Sequence, residues 1–144
     1  MPALSSCSRP LFEERLRRSG LRVTQQRVAI LEFLSGTTSH PTADEVGRAV
    51  NLDATMASRA SVYNVLRSLR DAGLVEELVL DDALARFDAN VNRHHHFICR
   101  ACKRVEDVDW AELPLRRRTK LPDGKSVEDL SVVLRGLCTA CQKS

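Results

Sequence analysis

Two Cys-x-x-Cys pairs constrain this chain more than any other feature in it. Cys99-x-x-Cys102 and Cys138-x-x-Cys141 stand on either side of residues 103–137. Each pair fits a tight turn that offers two sulfurs to one tetrahedral ion, with Zn–S bonds near ~2.3 Å. Four thiolates leave such an ion no open position, so a zinc held here is structural. It would tie the C-terminal tail to the strand before Trp110. The competing readings are a redox dithiol and a chance pairing. A fifth cysteine, Cys7, lies outside the pattern and reads as an idle exposed thiol.

Directly before the first pair stand three of the four histidines, His94-His95-His96. On a strand His94 and His96 share one side and His95 takes the other. Two imidazoles on one side, joined by a carboxylate, can begin a site for Fe, Mn or Zn. Asp88, before a polar linker, and Asp107, on the next expected strand, are the candidates. An exposed polar strand with incidental histidines accounts for the spacing equally well.

Residues 1–75 hold ten Arg and no Lys against seven acids, within a chain of net charge +3. Arg presents a planar fork suited to phosphates and guanine edges, which leans toward DNA, although a solvated surface gives the same bias. Residues 1–8 lack the basic and apolar regions of a signal peptide. No apolar run approaches the ~20 residues that span a bilayer. The expectation is a cytoplasmic protein without a membrane partner, where stable disulfides are uncommon and paired cysteines point to a metal.

Punctuation and periodicity then give the elements. Ser8-Arg9-Pro10 opens a helix that runs to about Ser19, with Leu11, Phe12 and Leu16 inward and Gly20 beyond its end. Thr24 caps a second helix to about Leu34, and a third follows His40-Pro41-Thr42, from Ala43 to about Val50. Ser58 opens a fourth, over 58–72. Its stripe Val62, Val65, Leu66 and Leu69 faces the core, and Arg59, Tyr63, Arg67 and Arg70 lie opposite. Leu74–Leu80, a turn at Asp81-Asp82, and Ala83–Asp88 read as a hairpin. Three helices, an Arg-bearing helix and a hairpin are the order of a winged helix-turn-helix. No phosphate loop, nucleophile elbow or HExxH stands in the chain, so an enzyme is not expected. After Asp88 come short strands (Phe97-Ile98, Arg104–Val108, Leu130–Arg135) around a helical piece from Trp110 to about Lys120, against which Pro114 and the run Arg116-Arg117-Arg118 count, since Pro breaks an interior turn. The expected fold is α+β, with domains at 1–88 and 94–144 and a hinge at about 88–93.

The chain resembles the ferric uptake regulator family of metal-dependent repressors over nearly its whole length. The resemblance is carried by Gly20-Leu21-Arg22-Val23-Thr24-Gln25-Gln26-Arg27, His40-Pro41-Thr42-Ala43, Ser61-Val62-Tyr63-Asn64-Val65-Leu66, Gly73-Leu74-Val75 and Arg86-Phe87-Asp88. To these it adds His94-x-His96-x-x-Cys99-x-x-Cys102 and Gly136-x-Cys138-x-x-Cys141. It implies a winged-helix DNA-binding domain followed by a small α/β dimerisation domain with the four-cysteine zinc site. It further implies a regulatory Fe(II) or Mn(II) held by His40, Asp88, His94, His96 and Asp107. Asp107 resembles the peroxide-sensing branch, since iron-uptake repressors usually carry Glu there. In that branch Fe(II) and peroxide convert a ligand histidine to 2-oxo-histidine, here His40 or His94, and DNA is released. The hairpin lacks the Cys ligand of zinc-uptake repressors. Leu130 stands where iron-uptake members often have a further His ligand.

The resulting expectation is a homodimeric, peroxide-responsive repressor that binds palindromic double-stranded DNA. An iron-responsive repressor without peroxide sensing is the alternative. Arg59, Tyr63 and Arg67 are expected at the major groove and phosphates, and Arg22 at a minor groove.

Overall fold

The computed structural model describes residues 8–50, 58–80, 83–113, 120–128 and 130–143. Cys7, the expected turn at Asp81-Asp82, and Pro114 with Arg116, Arg117 and Arg118 lie outside these residues. The chain divides into two compact units, 1–91 and 92–144.

In the first unit four helices, α1 (Arg9–Arg18), α2 (Gln25–Ser35), α3 (Ala43–Val50) and α4 (Arg59–Asp71), precede a hairpin, β1 (Glu76–Val79) and β2 (Ala85–Asp88). Local chemistry sets their limits. The Thr24 and Ser58 side chains accept the backbone N–H of Arg27 and Ser61, satisfying donors that the first helical turn leaves open. Thr42 and Glu45 form a reciprocal capping box: Glu45 Oε2 accepts the Thr42 N–H at 2.7 Å, and Thr42 Oγ accepts the Glu45 N–H at 3.3 Å. Gly20 and Gly73 follow α1 and α4 at φ +76° and +72°, a region costly for residues with a Cβ.

The core gathers one stripe from each helix: Phe12 and Leu16, then Val28, Ile30, Leu31 and Leu34, then Val46, then Val62, Val65, Leu66 and Leu69. Leu74, Val75 and Phe87 close it from the hairpin side. Leu11, expected inward, is 60% exposed. Phe12 and Leu16 are four apart and share a stripe, whereas Leu11 is turned about 100° away from it. Leu74 and Val75 belong to the core rather than to the strand, so β1 begins two residues later than its apolar run.

In the second unit β3 (His94–Cys99) is the central strand of a three-stranded sheet. It pairs antiparallel with β4 (Val105–Asp109) and parallel with β5 (Val133–Gly136). A short helix, α5 (Thr139–Gln142), follows β5. Among the described residues, the helix expected from Trp110 is a single 3₁₀ turn, Trp110–Glu112. Leu113 leaves the helical region at φ −130°, ψ 76°, and Lys120 instead forms a β-bridge with Ser126. β3 is longer than its apolar pair Phe97-Ile98 because the histidines are part of it.

Candidate metal centres and nucleic-acid interface

The cysteine pairs meet. Cys99 ends β3, and a tight knuckle returns the chain: Cys99 accepts the Lys103 N–H at its carbonyl at 2.9 Å and donates its own N–H to the Arg104 carbonyl at 3.0 Å. Lys103 has φ +63°, which closes the turn. On the other side Cys138 caps α5 and Cys141 lies within it. Gly136 lets β5 approach β3, since a Cβ there would stand 3.3 Å from the Phe97 ring. The four sulfurs lie within 4.8 Å of one another, and Cys102 Sγ is 3.9 Å from Cys138 Sγ. Ligands on ~2.3 Å bonds at tetrahedral angles stand about 3.8 Å apart, so this spacing fits zinc.

The charge distribution fits it as well. The backbone N–H of Cys102, then that of Cys138, hold the Cys99 thiol down to about 6. Cys141 is pushed up to about 12, first by the Cys138 side chain and then by Cys99 and Cys102. One thiolate is favoured and a neighbour is thereby held protonated. A divalent cation removes that conflict and admits all four as thiolates.

The histidines divide as their alternation requires. Register sets His96 opposite Asp107 across β3 and β4. His94 Nε2 lies 2.9 Å from His96 Nε2, and Asp107 Oδ1 is 3.4 and 3.8 Å from these nitrogens. His94 Nδ1 lies 2.5 Å from the Asn92 carbonyl. A carbonyl only accepts, so Nδ1 carries the proton and Nε2 turns a lone pair toward His96. Nitrogens bound at ~2.1 Å and right angles are about 3 Å apart, so the three groups present one side of a coordination sphere.

His40 and Asp88 make a second small group within the first unit. Phe87 donates its N–H to the Pro41 carbonyl at 2.9 Å, and Thr42 bridges Arg86, so the start of α3 is tied to β2. This puts His40 Nε2 3.3 Å from Asp88 Oδ2, with both side chains buried. Asp88 Oδ1 accepts the Asn90 N–H at 2.8 Å, which orients the carboxylate. His40 has φ +50°, a conformation uncommon outside glycine and frequent where function fixes the backbone.

His95 points the other way. It is fully buried and stacks on Trp110, with ring centroids 4.5 Å apart at 29°. The Arg93 guanidinium lies 4.7 Å from the centroid of the same indole.

On α4, Arg59, Tyr63 and Arg67 are exposed on one face, at helical spacing. Arg70, expected on that face, is half-buried and turned to Glu77 on β1 and to Asp71. Arg22 is exposed between α1 and α2, and its carbonyl accepts from Arg27 Nη1 at 2.7 Å. A contact absent from the sequence reading is the pairing of Arg59 with Asp44 of α3.

Comparison with known proteins decides the family. The sequence profile described as the ferric uptake regulator family matches residues 18–134. The chain belongs to the ferric uptake regulator family. It is 38% identical over 128 residues to the peroxide-responsive repressor PerR of Staphylococcus aureus, an alignment covering 88% of this chain and 86% of that protein. Its fold matches the ferric uptake regulator of Pseudomonas aeruginosa with manganese, at TM-score 0.71 and 30% identity over 90% of this chain and 98% of that one. The regulator of Francisella tularensis with iron follows, at TM-score 0.68 and 25% identity over 85% and 96%. Ferric uptake regulators are metal-responsive transcription regulators that bind DNA and form dimers. Among the described residues no helix is long and apolar enough to cross a membrane.

Proposed function

We propose that the protein is a cytoplasmic homodimeric repressor that binds a palindromic operator when Fe(II) or Mn(II) is held, and releases it after peroxide oxidises a ligand histidine. The observation that carries this reading is the geometry around Asp107. Its carboxylate faces two imidazole nitrogens only 2.9 Å apart, and the chain is similar to a peroxide-responsive repressor along 88% of its length. His94, His96 and Asp107 supply one half of the ligand set and His40 with Asp88 the other. The zinc at Cys99, Cys102, Cys138 and Cys141 is structural.

The donor set is chemically consistent with this role. Imidazole and carboxylate together suit Fe(II) and Mn(II), whereas the four sulfurs select zinc. Held there, Fe(II) would catalyse oxidation of the ring by peroxide, one peroxide oxygen ending on the imidazole carbon and the other leaving as water, whereas Mn(II) on the same residues would support repression without that reaction. His94 is held by its Nδ1–H donation to Asn92, which keeps Nε2 available as a ligand. An oxygen added to the ring of His40 or His94 weakens the ligand. The two recognition helices then lose their fixed spacing, and binding has to restore that order.

The test is a DNA-binding titration of the zinc-replete protein with no added metal, with Mn(II) and with Fe(II), before and after brief peroxide. The expected result is retention in both metal forms and release by peroxide from the Fe(II) form alone. Release on iron withdrawal, with no effect of peroxide, would favour the iron-responsive reading.

A further inference from the structure

Exposed ion pairs are usually of small consequence, because water competes for both groups and side-chain freedom is lost in forming them. The pair between Asp44 and Arg59 stands apart by its place and its geometry. Asp44 lies in the first turn of α3, and Arg59 is the first residue of α4. Arg59 Nε donates to Asp44 Oδ1 at 2.6 Å, and Nη2 donates to Oδ2. The contact is bidentate and side-on.

A guanidinium has five N–H donors. Side-on pairing uses one on Nε and one on Nη2. The other Nη2 proton and one Nη1 proton stay on the outer edge and form a second fork, while the remaining Nη1 proton points back along the side chain. In the major groove the O6 and N7 of guanine accept such a fork. A free Arg on a helix surface samples many rotamers that recognition would have to freeze. Here Asp44 has already selected one.

The surroundings leave this edge open. The Arg59 side chain is 82% exposed. The pair borders an open depression of about 590 Å³, lined also by Ala60 and Tyr63 of α4 and by Leu84 and Ala85 of the hairpin. The hydrogen bond from Arg59 holds the Asp44 carboxyl below its ordinary range, and Asp44 raises Arg59 in turn. Both groups therefore stay charged at neutral pH.

We propose that Asp44 is a positioning residue for base reading: it holds Arg59 side-on so that the Nη1–Nη2 edge meets one guanine in each half-site. This rests on the reading of α4 as the DNA-facing helix. It adds a residue that makes no DNA contact of its own but sets which base is preferred.

The experiment uses the full chain loaded with zinc and Mn(II), as wild type, Asp44→Ala, Asp44→Asn, Arg59→Ala and the double variant Asp44→Ala/Arg59→Ala. Unfolding temperature and zinc content establish that each variant is folded. A randomised duplex library yields the sequence preferred by the wild type. Affinities are then measured at fixed salt for that duplex and for versions with single guanines replaced by 7-deazaguanine, which lacks N7.

The wild type should lose about tenfold or more at one guanine per half-site. Arg59→Ala should abolish that penalty. Asp44→Ala and Asp44→Asn should shrink it severalfold, and the double variant should behave as Arg59→Ala alone. If Asp44→Ala instead strengthens binding to all duplexes alike and leaves the penalty intact, Asp44 is merely a neutralising charge and the proposal is overturned. A penalty that survives Arg59→Ala overturns it too. Selection of no preferred sequence by the wild type would remove the DNA-reading role of α4 itself, and the proposal with it.

Discussion

Cys99 and Cys141 sit in one cluster, yet their thiols are driven in opposite directions, to about 6 and about 12. Cys99 is lowered, so in the folded cluster its thiolate persists from the ordinary thiol range down to about pH 6 and is lost as pH falls through that value. Zinc requires thiolates, and its affinity must fall in the same direction. Calorimetry in buffers of different ionisation heat reads the protons released when the stripped, reduced chain takes up zinc. Protons should be released on zinc uptake at pH 7, and binding should weaken steadily toward pH 5, because every sulfur must give up its proton to the metal. Uptake without proton release, or affinity that does not fall toward pH 5, would contradict thiolate ligation. Substituting Cys99→Ser should cause near-complete loss of zinc from the purified protein. Full zinc occupancy in that variant, measured by elemental analysis, would contradict a four-sulfur site.

At the scale of elements, α4 carries two separable roles on opposite faces. Leu66 is fully buried in the first unit's core, and Leu66→Ala should cost about 2–5 kcal/mol in denaturant unfolding. Arg67 is exposed, and Arg67→Ala should leave stability within about 0.5 kcal/mol while weakening operator binding by about 1–3 kcal/mol if it touches a base. Unchanged affinity at fixed salt would place Arg67 outside the interface, and a loss of stability would show that the two faces are not separable.

The limits of α4 were legible to within a residue because the cap Ser58, the apolar stripe and Gly73 are all local signals. β3 was only half legible. Spacing allowed its histidines on a strand, exposed or ligating alike, and only the pairing with β4 and β5 makes that strand the central, buried one. The helix expected from Trp110 onward failed for a different reason, one already written in the sequence: Pro114 disfavours the helical region for the residue before it, and Leu113 leaves that region. Alternation did foretell that His94 and His96 face one way and His95 the other. The partners Trp110 for His95 and Asp44 for Arg59 depend on contacts between elements, which no spacing rule supplies.

The two units differ in what holds them. The first has an aliphatic core drawn from four helices and the hairpin. In the second, the buried apolar side chains among the described residues are Ile98 and Val105, beside Cys99 and Cys138. So small a core needs a staple, and the zinc cluster supplies one. Chelating the zinc should therefore remove hydrogen-exchange protection from β3, β4 and β5 while α2 and α4 keep theirs. Equal loss in both units would refute a role for zinc confined to the second.

The conditional metal is a different matter. His96→Ala should leave zinc content and unfolding temperature near those of the wild type but abolish the Fe(II) and Mn(II) dependence of DNA binding. Metal-dependent binding that persists would remove His96 from the ligand set.

A ligand imidazole acting as the peroxide sensor must carry the damage itself, and peptide mass spectrometry of the Fe(II) form after brief peroxide treatment reads that damage. The expected result is one added oxygen on the peptide carrying His40 or His94, absent from the Mn(II) form and rising in step with release of DNA. Release of DNA with both peptides unmodified, or DNA retained by an Fe(II) protein that peroxide leaves unoxidised, would contradict it.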